Sequence, residues 1–277
     1  MRRCAAVLLW DDDLPLAVVH RPSESNDLNR PAILVTGGAK RIGAAIARAF
    51  GEAGWHVVIH FGTSREDAEA LAAALPSAET ITCDLSDPDA AALMAEGLAA
   101  RLHDWRALVN SAGVFELDTA AELKAQVFDR AQRINAASPA RLGQAFLAHA
   151  RSADGRRLIQ ITDQKLLNPN PDFFSYTMSK HALAATIPML SMTRPRSHDR
   201  VYGIAPGAIL ASHDQDEAET EVSHKMNLLG RRTTAEDIAR AALFLSEGWL
   251  ASGETLYLDA GQHLLSQPRD VLFLARE

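Results

Sequence analysis

From Ile33 onward the chain alternates short apolar runs with longer stretches of helical periodicity. Ala32 to Val35 is apolar and rich in β-branched residues, the pattern of a strand buried on both faces. Trp55 to His60, Thr80 to Cys83, Ala107 to Asn110, Arg157 to Ile161, Val201 to Ile204 and Thr255 to Leu258 read as the further strands. Between them lie helical stretches. From Arg41, Ile42, Ile46, Ala49 and Phe50 recur at helical spacing, followed by Ser64 to Leu75 and Asp87 to Leu102. Asp87 is placed to cap its helix and Pro88 to occupy the first helical position. Ala120 to Ala150, Phe174 to Met192 and Ala235 to Leu245 complete the helical set, with Pro188 expected to kink its helix or end the regular part early. Strands separated by helices imply right-handed crossovers. The expected fold is therefore α/β: a doubly wound parallel sheet of about seven strands with helices on both faces, in one domain over residues 31–277.

Residues 1–30 fit no part of this pattern. Leu14 to His20 has the composition of a strand, and Arg21 to Arg30 is polar and linker-like. The segment is open to three readings: an added edge element, a disordered extension or a misplaced start. Arg2-Arg3 followed by Cys4 to Trp10 faintly resembles a signal peptide, but Asp11-Asp12-Asp13 ends the apolar run early.

Composition narrows the function classes. A net charge of −7 disfavours nucleic acid or an anionic membrane surface as partner, since both call for basic patches. No apolar run approaches the ~18 residues of a membrane span. The two cysteines, Cys4 and Cys83, are too few for a disulfide framework and fit a reducing compartment, so a cytoplasmic protein is expected. No set of metal ligands stands out.

The candidate chemistry begins at Thr36-Gly37-Gly38-Ala39-Lys40-Arg41-Ile42-Gly43, where a strand turns through glycines into a helix. Free N–H groups and the positive end of the helix dipole make such a turn an anion site, usually for a dinucleotide diphosphate. Alone, it is equally an ordinary βα turn. The second strand ends in His60-Phe61-Gly62-Thr63-Ser64-Arg65, without the acid that would bind both ribose hydroxyls of NAD. His60, Thr63 and Ser64, with Lys40 and Arg41, suit a 2′-phosphate instead, so NADP(H) is favoured. Asn110-Ser111-Ala112-Gly113-Val114-Phe115 follows the fourth strand, where small residues let a cofactor approach the backbone. Tyr176 and Lys180, four apart on a helix, share a face. A neighbouring ammonium lowers a phenol's pKa, which makes Tyr176 a candidate general acid or base.

Thr36-Gly37 through Gly43, Asp84, Asn110 to Gly113, Asn135, Tyr176 with Lys180, and Pro206-Gly207 together resemble the short-chain dehydrogenase/reductase family over roughly residues 31–262. Within it the chain is most similar to the pteridine reductases, including the bacterial dihydropteridine and dihydromonapterin reductases. Arg41 replaces the central glycine of the turn, Asp163 replaces the serine thirteen residues before the tyrosine, and Phe115 stands where those enzymes place an aromatic against the pterin. Leu258 to Leu264 is similar as well.

The resemblance implies a Rossmann-type fold and a set of roles. Thr36, Gly37, Lys40, Arg41, Ile42 and Gly43 would hold the diphosphate, and Arg41 would also reach substrate. His60, Thr63 and Ser64 would face the 2′-phosphate, and Asp84 and Leu85 the adenine. Asn110, Ser111, Ala112 and Gly113 would line the riboses, with Pro206 and Gly207 beside the nicotinamide. Tyr176, Lys180, Asn135 and Asp163 would form the catalytic set, Lys180 binding the ribose and Asn135 positioning a relay water. Phe115, with Arg41, Asp163 and Tyr176, would bind the substrate. The implied activity is NADPH-dependent reduction of a dihydropteridine C=N bond by a homo-oligomer, a dimer or tetramer. Carbonyl reduction within the same family is the alternative, and a non-catalytic dinucleotide sensor a more distant one. Ser111 and Gly113 depart from the family's usual residues, and Pro188 lies in the helix that packs against a partner subunit there. His213 to Glu221 is expected in the variable segment covering the substrate.

Overall fold

The computed structural model describes residues 17–20, 30–193, 196–209, 211 and 215–277. A short strand, β1 (Ala17–His20), precedes the strands anticipated from the apolar runs. These are β2 (Ala32–Thr36), β3 (His56–Phe61), β4 (Ala78–Thr82), β5 (Trp105–Asn110), β6 (Arg157–Ile161), β7 (Arg200–Pro206) and β8 (Thr255–Leu258). They form one sheet in the order β1-β4-β3-β2-β5-β6-β7-β8. β2 to β8 pair in parallel, and β1 lies antiparallel against β4 at the edge. Residues 17–20 thus take the edge-element reading; the remainder of the segment up to residue 29 lies outside the described residues.

The seven parallel strands carry helices on both faces, a Rossmann-type arrangement. The period of two along each strand feeds two separate cores. Ile33 and Val35 point to one face with Val57, Ile59, Ala107 and Val109; Ala32 and Leu34 point to the other with Val58, Trp105 and Leu108. Helices α1 (Arg41–Glu52), α2 (Arg65–Ala74) and a later helix, Ala235–Ser246, cover the first face. α3 (Pro88–Arg101), with Asp87 accepting from the N–H groups of Asp89 and Ala90 as its cap, lies on the second. The chain winds outward in both directions from β2 and β5. Their carboxyl ends diverge there, which opens the crevice where ligands bind in such sheets.

Two helical expectations are corrected. The stretch expected over Ala120 to Ala150 begins later, at α4 (Ala125–Gln132), because Thr119 instead forms bridges to Glu122 and Asp172. It then passes through a π turn (Arg133–Ala137) into α5 (Ser138–His149). Pro139 has no N–H to give the Asn135 carbonyl four residues back, so a regular α-helical ladder has a gap at this point. The other correction concerns α6 (Phe174–Met192): it has the extent expected and runs through Pro188 for another turn, so the proline does not end its regular part early. The remaining helices are α7 (Glu217–Ser223), α8 (Ala235–Ser246) and α9 (Val271–Leu274). Among the described residues no helix is long and apolar enough to cross a membrane.

Candidate active site

At the carboxyl end of β2 the backbone packs too tightly for side chains. Gly37 has φ +62°, and a Cβ there would lie 2.9 Å from Ala112 Cα; one at Gly43 would lie 2.2 Å from the Gly37 carbonyl oxygen. The N-terminus of α1 faces outward beside this turn with no acidic residue in its first turn and no side-chain cap. Arg41 occupies the family's glycine position in the left-handed region, φ +54°, a strained conformation for a residue with a side chain. Its guanidinium donates to the Ala211 carbonyl at 3.0 Å, across the crevice. Lys40 pairs with Asp67 at 2.8 Å, both partly exposed.

Two residues expected at the cofactor support the turn from behind. Thr36 is buried, and its hydroxyl accepts from the N–H groups of Ser111 and Ala112 at 3.0 and 3.1 Å, stitching the glycine turn to the loop after β5. His60 is also buried. Its Nδ1 accepts the Gly37 N–H at 3.2 Å, while Nε2 donates to the Cys83 carbonyl at 3.0 Å. Both ring nitrogens are spent, and burial lowers its pKa to about 4, so the ring is neutral. The expectation that His60 faces a 2′-phosphate is corrected: it fixes the turn. Thr63 is exposed at the end of β3, and Ser64, although it precedes α2, makes no side-chain cap bond.

The crevice is a cleft of about 340 Å³. Gly37, Lys40, Arg41, Ile42 and Gly43 line one end; Ser111, Ala112, Gly113 and Phe115 form a wall; Pro206 and Gly207 border it opposite. Asp163, Tyr176 and Lys180 converge in it. Thr36, His60, Thr63, Ser64, Asp84, Leu85, Asn110 and Asn135 are not part of this lining. Asp84 accepts from the N–H and hydroxyl of Ser86, which holds its carboxyl below the usual range, and Leu85 is buried. Asn110 donates to Gln160 Oε1 at 2.9 Å and to the Pro139 carbonyl at 3.2 Å. Asn135 is fully buried, and its side-chain amide is committed to Val114 on both sides: Oδ1 accepts the Val114 N–H at 2.8 Å, and Nδ2 donates to the Val114 carbonyl at 2.9 Å and to Ser179. The side chain therefore positions the loop after β5, and only its main chain is left for a water.

The phenol of Tyr176 donates to Asp163 Oδ2 at 2.6 Å, and Asp163 Oδ1 accepts the Lys165 N–H at 2.9 Å. Burial, then the adjacent Asp163, push the phenol well above its usual pKa. This overturns the expectation of a phenol acidified by Lys180. The Lys180 ammonium donates to the Ile161 carbonyl at 2.8 Å and lies 5.6 Å from the phenol ring centre. Burial lowers its own pKa to about 8. Burial also raises Asp163, outweighing the phenol and the two lysines that favour its charged form. Phe115 stacks on Phe173 at 3.9 Å and meets Tyr176 edge-on at 4.7 Å.

Several lining residues carried no signal in the sequence. Gln164 and Lys165 follow Asp163, His224 follows α7, and Asp270, Val271 and Leu272 arrive from the C-terminal segment. Gln164 Oε1 and His224 Nδ1 are buried without a hydrogen-bond partner. Only the proximity of Gln164 and Lys165 to Asp163 could have drawn attention to them. Among the described residues no cluster of three or more His, Cys, Asp or Glu could hold a metal ion.

Residues 37–263 match the family model described as enoyl-(acyl carrier protein) reductase, of the short-chain type. The chain belongs to the short-chain dehydrogenase/reductase family. This short-chain oxidoreductase is similar to FolM alternative dihydrofolate reductase 1 from Brucella canis, solved in complex with NADP, at 29% identity and a TM-score of 0.80. That match covers 89% of this chain and 99% of the other. Versicolorin reductase 1 of Aspergillus parasiticus is 29% identical over 86% of this chain and 98% of its own length. D-threitol dehydrogenase of Mycolicibacterium smegmatis is 30% identical over 84% and 93% respectively.

Proposed function

We propose that this chain is an NADPH-dependent reductase that delivers a hydride to the C=N bond of a dihydropteridine, of dihydrobiopterin, dihydromonapterin or dihydrofolate type, with Tyr176 as proton donor. The observation that carries the reading is the bond from the Tyr176 phenol to the Asp163 carboxylate. A hydroxyl at position 163 would donate to the alkoxide forming on a carbonyl substrate. A carboxyl there offers no such donor: ionised, it repels that charge, and protonated, its one hydrogen is committed to the phenol oxygen of Tyr176. It can accept from the amino and ring N–H groups of a pterin.

The cofactor reading rests on the turn. The clashes that any Cβ would make at Gly37 and Gly43, beside an uncapped helix N-terminus without acids, suit a diphosphate. Thr63, Ser64 and Lys40 would take the 2′-phosphate, Asp84 and Leu85 the adenine, Asn110 to Gly113 and Lys180 the riboses, and Pro206-Gly207 the nicotinamide. Bound NADPH supplies the hydride. Phe115 would hold a flat ring by stacking, and Arg41 would reach over it. The neighbouring FolM structure, solved with NADP, supports the same choice. So do the unpartnered Gln164 and His224 atoms, which suit a ligand rich in heteroatoms.

Proton delivery follows from charge balance. If Tyr176 released its proton beside an ionised Asp163, two adjacent anions would remain. If Asp163 is protonated first, its proton moves onto the phenol oxygen as the phenol proton moves to the pterin nitrogen. What remains is a phenol donating to a carboxylate, the arrangement in the structure. The raised pKa of Asp163 favours this loaded form, and turnover should fall as pH rises through it. The homo-oligomer, dimer or tetramer, is part of the proposal and is checked by light scattering.

The test is a side-by-side assay of dihydropterins and of acyl and sugar ketones, with NADPH and NADH. Dihydropterin reduction with NADPH should exceed every ketone, and Asp163→Ser should lower it. A wild-type preference for a ketone, with Asp163→Ser improving nothing, would end the pterin reading. Equal use of NADH would end the cofactor reading.

A further inference from the structure

Lys165 is an ammonium buried inside the cleft wall, 3% exposed, two residues beyond Asp163. A buried cation needs close partners, and Lys165 has three. Its Nζ meets Asp270 Oδ2 at 2.7 Å, Asn170 Oδ1 at 3.0 Å and the Asp172 carbonyl at 3.3 Å. Asp270 comes from the far end of the chain. It is anchored by its own N–H to Asp172 Oδ2 at 2.9 Å, by the Leu272 N–H at 3.0 Å to its Oδ1, and beside it Arg269 pairs with Asp172 at 2.8 Å. Both Lys165 and Asp270 line the cleft that holds Tyr176 and Asp163.

We infer that Lys165, restrained by Asp270 of the C-terminal segment, is a positioning residue that governs how readily Asp163 takes up the proton destined for Tyr176. The inference rests on the reading of Asp163 and Tyr176 as the proton-delivering pair, not on the identity of the substrate. The Lys165 main chain fixes one Asp163 oxygen through the 2.9 Å bond to Oδ1, leaving the other to the phenol. The Lys165 charge then acts on the same carboxyl. Tyr176 and Lys180 from α6 and Lys165 from the loop after β6 act on Asp163; Asp270 from the C-terminal segment, Arg41 and His224 line the same cleft. Asp163 and Asp270 against Lys165 and Lys180 form a balanced set of four. Lys180 bonds a carbonyl, whereas Lys165 bonds a carboxylate, so Asp270 is what keeps the Lys165 charge from acting on Asp163 in full. Lys165 and Lys180 favour the ionised Asp163, and Asp270 adds to the field that keeps Tyr176 protonated.

The two partners must therefore act on Asp163 in opposite directions. Lys165→Met removes a cation and should move the Asp163 titration midpoint up, by about one pH unit. Asp270→Asn keeps the shape, releases the Lys165 charge and removes an anion, and should move the midpoint down. Carbon-13 NMR of labelled aspartate carboxyls, with the Asp163 signal assigned through Asp163→Asn, reads this without any substrate. The basic limb of the turnover profile should move the same way in each variant. An ion pair that merely pins the C-terminal segment would shift neither midpoint, or both in one direction, and either result overturns the inference. If Lys165→Met does not fold, Asp270→Asn decides alone: a downward shift upholds the inference and an unmoved midpoint overturns it. Opposed midpoint shifts without any pterin reduction would uphold the inference and sink only the substrate assignment. A turnover limb that stays fixed while the midpoint moves would overturn it.

Discussion

A phenol bonded to a half-buried carboxylate can serve as a donor only if the carboxylate helps to carry the proton. That requirement makes Tyr176 and Asp163 one unit rather than two residues with separate roles. Tyr176→Phe keeps the ring that Phe115 meets edge-on and removes the hydroxyl alone. NADPH titration should be unchanged, and turnover should fall by ~10²–10⁴-fold, the usual worth of a positioned acid. Near-normal turnover in the Phe variant would show that Asp163 delivers the proton unaided. Tyr176 and Lys180 were legible from spacing, because a helical face can be read from one dimension, whereas Asp163 was legible only through the family resemblance, thirteen residues before the tyrosine. Thr36 and His60 were not read correctly. Residue type shows that a side chain can bond but not which way it points, and both turn inward to hold backbone N–H groups of the two cofactor-side loops.

At the scale of elements, the strands were the most legible, since a buried parallel strand leaves an apolar run that little else mimics. Helix limits were less so. Ala120 to Lys124 is compatible with helix by composition, yet Thr119 is drawn into bridges with Glu122 and Asp172, and no local pattern announces a partner 53 positions away. Pro188 shows the opposite error. Local stereochemistry argues for a break, but Ile187 is buried in the core and Leu190 packs against it, which holds α6 helical as far as Met192. The structure thus sustains a helix that lacks one N–H donor, toward Ala184. Pro188 itself is exposed, so Pro188→Ala should restore the bond without a clash and stabilise the protein by about 1–3 kcal/mol, read as a higher midpoint in urea. An unchanged midpoint would mean that the chain has already relaxed fully around the proline.

The cleft as a whole is assembled from opposite ends of the chain. One end is built at Gly37 to Gly43, where the strand, glycine turn and helix read from the sequence are present because the turn is local. The other end, where the proposed substrate would lie, is lined by Asp270, Val271 and Leu272, which no local pattern could place there. Long-range bonds hold that lining: Lys165 to Asp270, Arg269 to Asp172, Asn168 to Gln267, and Arg276 to Glu219 of α7. If the two ends are built separately, they should also fail separately. Removing residues 268–277 should leave the sheet, the glycine turn and NADPH affinity near wild type. It should raise the KM for a dihydropterin at least about tenfold, one step of 1.4 kcal/mol, and lower the thermal midpoint because Lys165 is left as an unpaired buried charge. Measuring cofactor titration and substrate kinetics on the same folded preparation separates the effects. A truncated chain that binds NADPH and turns over pterin with an unchanged KM would show that the C-terminal segment only covers the loop after β6, and that the substrate is held by the remaining walls of the cleft alone.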